Sequence, residues 1–141
     1  MEDNMDSTQK SAVLELLARS AYALDERHID MLRDTFSETA SFEIDIAGVD
    51  GVMNFTGRDA ILGLMTDTMA EQTDQRRHVI SNAFFESEGS AEASVVTNIT
   101  ITSVENGAIR LVTTGLYRDR VVLEGDQWRI AARRIELDMA Y

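Results

Sequence analysis

Asp25 and His78 are the two residues whose types and positions could move a proton. Stepping back from Asp25 by three, four, seven and eight residues gives Tyr22, Ala21, Ala18 and Leu17. Those positions share one face of a helix. A carboxylate ending such a stripe points toward a core or cavity, where an unpaired charge is costly and a partner is required. The same pattern also fits a helix-end aspartate in water. His78 follows Arg76 and Arg77 and alternates with Ile80, Asn82 and Phe84. An imidazole titrates near neutrality and can act as a general base. By pattern alone, a structural or surface histidine is the more ordinary reading. His28, in the run Asp25-Glu26-Arg27-His28, reads as solvated. Asn98 interrupts a Val/Ile/Thr segment and could line a pocket or face water. Arg120, in Tyr117-Arg118-Asp119-Arg120, could bind an anion, although its pattern favours solvent.

The bulk of the chain sets limits on that chemistry. Its 141 residues suit one domain, with residues 1–6 expected as a flexible tail and 7–141 as the folded unit. Hydrophobic residues are 44% and charged residues 27%, a globular balance. There is no cysteine, which removes disulfides, thiolate catalysis and cysteine-based zinc sites. With two histidines, no metal site is expected. A net charge of -12 repels phosphate backbones and anionic membranes, so neither nucleic acid nor membrane is an expected partner. No apolar run has the length of a membrane span, and the polar start shows no signal peptide. We expect a cytoplasmic location.

These side chains need elements to position them. Leu14, Leu17, Ala18, Ala21 and Leu24 recur at helical spacing, predicting a helix over 7–26. A short helix follows over 29–36. Phe42, Ile44 and Ile46 then alternate as a half-buried strand, and Gly48 and Gly51 mark a loop or hairpin. Thr56 reads as the N-cap of a third helix, with Asp59 three residues on. From Arg76 onward the text is strand: 77–86, 91–104, 108–123 and 127–137. Asn106-Gly107 and Gly125-Asp126 mark two of the turns. Helices first, then a long antiparallel meander, is an α+β arrangement.

Several segments then resemble one family. Ala12 to Asp25, onward through Phe36-Ser37-Glu38-Thr39-Ala40, resembles the opening of SnoaL-like members of the nuclear-transport-factor-2-like superfamily. Phe55-Thr56-Gly57-Arg58-Asp59-Ala60-Ile61 resembles its third-helix start, and Arg77-His78-Val79-Ile80-Ser81-Asn82 its histidine strand. Gly115-Leu116-Tyr117-Arg118-Asp119-Arg120, with Trp128-Arg129-Ile130, resembles its closing hairpin. The resemblance covers nearly the whole chain. It implies a cone of helices packed into a curved antiparallel sheet, an α+β barrel.

The nearest subset contains scytalone dehydratase, bile-acid 7α-dehydratase and lindane dehydrochlorinase. It implies a His–Asp dyad at His78 and Asp25, and a pocket arginine at Arg120. Tyr22 matches a pocket tyrosine of the dehydratases, and Asn98 and Tyr117 are further candidate substrate contacts. A lysine of the dehydrochlorinase falls on Ser20, a departure that argues against dehydrochlorination. The implied activity is a lyase or isomerase that needs no cofactor or metal and acts on a small hydrophobic cyclic substrate. A non-catalytic ligand-binding or structural subunit, like the small subunit of ring-hydroxylating dioxygenases, is the alternative. Pocket size would depend on which of Met53, Phe55, Leu64, Met65, Met69, Phe84 and Tyr117 turn inward. The outer sheet face, with Val96, Thr100 and Thr102, is expected to pack against further copies. The resemblance favours a trimer, with a dimer as the alternative.

Overall fold

The computed structural model describes residues 4–141. Helix α1 (Ser7–Asp25) starts at a capping box. Asp6 accepts from the Gln9 N–H at 2.8 Å, and the Asp6 N–H donates back to Gln9 Oε1 at 3.0 Å. Met5 is buried, and its N–H donates to Glu88 Oε1 at 3.1 Å. The expected tail is therefore corrected at Met5 and Asp6, which are fastened; residues 1–3 lie outside the described residues. The buried face of α1 is Val13, Leu16, Leu17, Ser20 and Ala23, whereas Leu14 and Ala18 are exposed. Apolar residues surround this helix, so two stripes fit its period, and packing selected the one containing Ser20.

Arg27, with φ 57°, breaks the helix. His28 then caps α2 (Ile29–Thr35) by accepting at Nδ1 from the Met31 N–H. Strand β1 (Phe36–Ile46) and the short β2 (Met53–Thr56) form a hairpin. Helix α3 (Arg58–Glu71) is capped by Gly57, not by Thr56. Thr56 pairs with Ser41 as the last residue of β2, and the Gly57 N–H donates to the Ala40 carbonyl. The chain must turn at Gly57 with φ 91°, a conformation that favours glycine.

Strands β3 (Gln75–Ser87), β4 (Glu92–Glu105), β5 (Ala108–Glu124) and β6 (Gln127–Leu137) form the expected antiparallel meander. Asn106 and Gly107 both have positive φ, as a tight hairpin requires. The sheet order is β2-β1-β6-β5-β4-β3. Its β1–β6 pair is parallel, with Phe42 opposite Arg133 and Ile44 opposite Ile135. The sheet is therefore mixed rather than wholly antiparallel, and open, with β2 and β3 as its edges. Register shifts within β3–β4, β4–β5 and β5–β6 let these long strands bend. One sheet face takes the helices: α1 lies against β3 and β6, and α3 against β1 and β2. Leu17, Leu32, Phe36, Ile61, Ile99 and Ile130 are fully buried between the layers. Each such side chain contributes about 1.5–3 kcal/mol of burial. On the other face, Thr100 and Thr102 are half-buried. Val96 is already buried, flanked by its cross-strand partners Phe84 and Arg118. Among the described residues, no helix is long and apolar enough to cross a membrane.

Candidate active site

Asp25 ends α1 beside the start of β3, and Gln75 ties the two together by donating to the Asp25 carbonyl at 3.0 Å. The His78 N–H donates to Asp25 Oδ2 at 2.7 Å, and His78 Nδ1 lies 2.6 Å from Asp25 Oδ1. The two side chains are only 5% and 10% exposed. One residue thus supplies both partners of the buried carboxylate, which satisfies it. As a carboxylate Asp25 can only accept, and in that form the shared proton belongs to Nδ1 of the ring. Nε2 has no hydrogen bond among the described residues and is left as the basic nitrogen. Neighbouring Arg77 points the other way, to Glu26 at 2.8 Å.

Asp25 and His78 border a cavity of about 150 Å³. Its walls include Leu24, Leu32, Phe36, Leu64, Met65 and Ile99. An apolar space of roughly this size holds a benzene-sized molecule. Tyr117 and Arg133 form a second polar region in the same cavity. Arg133 Nε and Nη2 donate to the two oxygens of Asp119 at 2.7 and 3.0 Å, with both side chains buried. The guanidinium carbon sits 4.1 Å from the Tyr117 ring centre. Ser20 Oγ lies 3.4–3.5 Å from the Arg133 terminal nitrogens and donates to the Leu17 carbonyl at 2.6 Å. Ser20, at the lysine position of the dehydrochlorinase, is therefore a link between α1 and β6.

Burial pushes the Tyr117 phenol well above its ordinary range, more strongly than nearby Arg133 pulls it down. Its hydroxyl stays protonated, and it has no hydrogen-bond partner among the described residues. Burial opposes the Arg133 charge, but Asp119 outweighs it and holds the guanidinium charged. Arg76 and Tyr141 also border the cavity, with Arg76 over the Tyr141 ring at 5.0 Å. Arg76 is itself paired with Asp74 at 3.2 Å. A hydrogen bond from Ser103 is the main reason the Asp74 carboxyl lies below its ordinary value. Among the described residues, no three histidines or carboxylates converge as a metal site.

The cavity thus gathers Asp25, His78 and Tyr117, and excludes three other candidates. Tyr22 is 55% exposed on the solvent side of α1. Asn98 is exposed, one position out of phase with the inward Thr97 and Ile99. Arg120 is exposed and pairs with Glu92 at 3.2 Å, because alternation turns Tyr117, Asp119 and Val121 inward instead. The pocket arginine is Arg133. Counting back by twos from the buried Leu137 and Ile135 would have found it. Of the size-setting side chains, Leu64, Met65 and Tyr117 line the cavity. Phe55 and Met69 pack against the hydrophobic core without lining the cavity, and Met53 and Phe84 are exposed.

A family model described as SnoaL-like domain matches residues 5–134. No curated protein matches the chain. Several solved structures share its fold. A Novosphingobium aromaticivorans protein assigned as the beta subunit of an aromatic-ring-hydroxylating dioxygenase is 18% identical, with a TM-score of 0.82 over 95% of this chain and 92% of that one. Aln2 from a Streptomyces species is 23% identical, with a TM-score of 0.80 over 95% and 94%. A Catenulispora acidiphila protein in complex with S-DNPA is 21% identical, with a TM-score of 0.79 over 94% and 95%.

Proposed function

Because the chain belongs to the SnoaL-like domain family, we propose that it is a cofactor-independent lyase or isomerase: a dehydratase, double-bond isomerase or cyclase. Its substrate is a small, hydrophobic, cyclic molecule. The observation that carries this reading is the buried Asp25–His78 pair at the wall of an apolar cavity. A protein of the same fold, from Catenulispora acidiphila, is in complex with S-DNPA, which is consistent with a fold that holds a ligand.

In this mechanism His78 Nε2 removes a proton from carbon next to a carbonyl. Asp25 keeps Nδ1–H oriented and stabilises the imidazolium that forms. Negative charge developing on the carbonyl oxygen meets the protonated Tyr117 hydroxyl, with Arg133 behind it. The imidazolium then returns its proton, to a departing hydroxyl in a dehydration or to another carbon in an isomerisation. Acid–base help of this kind is worth about a hundred- to ten-thousand-fold. The test is His78→Gln and Asp25→Asn, assayed on cyclic hydroxy-ketones for water loss and for proton exchange beside the carbonyl. Both variants should lose most of the rate, and unchanged turnover in both would sink the dyad.

The likeness to a dioxygenase beta subunit supports a second, structural reading. Copurification with an iron–sulfur large subunit, together with no loss of assembly in H78Q, would favour it.

A further inference from the structure

We infer that the cavity selects uncharged ligands carrying a carbonyl or hydroxyl oxygen, and that Asp119 is the residue that sets this preference. The inference rests on the reading that the cavity binds a small organic molecule, and it narrows the substrate class.

Every charged side chain around the cavity already has a partner. Asp25 holds His78 through both oxygens. Arg76 is paired with Asp74, and its guanidinium covers the Tyr141 ring. Arg133 is the cation one would assign to a carboxylate ligand, but Asp119 grips it through two parallel hydrogen bonds. That is the geometry in which an arginine meets a carboxylate. Tyr117 covers one face of the guanidinium and Ser20 approaches its ends. Asp119 therefore occupies the place that a ligand carboxylate would take.

The summed charge points the same way. Asp25, Asp74 and Asp119 stand against Arg76 and Arg133 while His78 is neutral, one negative charge in excess. A bound anion would be buried beside this surplus with no cation free to meet it. The chain as a whole, at -12, adds a repelling field. A neutral oxygen meets no such penalty. Tyr117 offers an unengaged hydroxyl, and Arg133 Nη1 has no carboxylate contact. An arginine carries five N–H donors, so two bonds to Asp119 leave it able to donate further.

Acetophenone and benzoate have the same number of heavy atoms and a shared benzene ring, which a cavity of this volume holds, and they differ in charge. Each would be titrated at pH 8 into the ¹⁵N-labelled full chain and into D119N, following amide shifts at Tyr117, His78 and Arg133. Acetophenone should bind the wild type at least about tenfold more tightly than benzoate, and D119N should reverse the order by freeing Arg133. Benzoate binding the wild type as tightly as acetophenone would overturn the inference while leaving a ligand-binding cavity in place. A folded D119N with unchanged preference would overturn the role given to Asp119. If neither probe shifts the cavity residues, the ligand-binding reading falls and this one with it. Should D119N fail to fold, the wild-type comparison alone decides the preference for uncharged ligands.

Discussion

At Asp25 and His78, side chains with ordinary individual explanations become unusual through proximity. Pattern alone leaves Asp25 open between an inward carboxylate and a solvated helix end, and favours a structural or surface role for His78. The family resemblance draws them together, because nothing local announces a contact between residues 53 apart. Arg133 is legible by alternation, yet Arg120 draws attention because it stands in a matching motif. A one-residue parity error exchanges the inside of a sheet for its outside. Tyr117 carries a pH prediction. Its pKa is raised in the folded state, so the contribution of its buried phenol is present below the ordinary tyrosine value of about 10. Above that value the unfolded chain releases the proton while the folded chain keeps it, so stability falls as pH rises. Tyr117→Phe should flatten this alkaline loss. It should also leave the tyrosinate absorbance of the folded protein unchanged, and a drop in that absorbance would mean that Tyr117 ionises in place.

Elements are readable where a period or a turn residue marks them. The four long strands and both early helices fall within a few residues of their expected spans, since Val, Ile and Thr alternation and Asn106-Gly107 are local signals. Strand β2 is foreshadowed only by the possible hairpin around Gly51. It is four residues long, too short for alternation to register. Thr56 has the chemistry of a helix cap, but pairing with Ser41 holds it in β2. The parallel β1–β6 pair has no signature in either strand, because it joins residues such as Phe42 and Arg133 that lie 91 positions apart. Gly115 has no evident role in the sequence. A Cβ there would strike the Glu136 carbonyl oxygen, so the glycine permits the close approach of mid-β5 to the end of β6.

For the whole molecule, the order of elements, helices before a long meander, correctly foretells the α+β fold, and the family match extends over residues 5–134. Assembly belongs at this scale as well. Val79, Leu111 and Ile109 are exposed, and they neighbour Thr100, Thr102 and Val104 in the strand register of the outer sheet face. Such a patch favours self-association, and we expect a trimer in preference to a dimer. Light scattering at micromolar concentration should report a mass several times 15.7 kDa, and a mass of one chain would contradict it.

One contact, Asp25 to His78, joins the helical layer to the sheet and carries the proposed chemistry. Nitrogen NMR of the imidazoles tests it directly, with only two histidines to assign. When neutral, His78 should carry its proton on Nδ1 and leave Nε2 bare, and Asp25→Asn should disturb that tautomer. A His78 protonated on Nε2, or a spectrum indifferent to Asp25→Asn, would contradict the account.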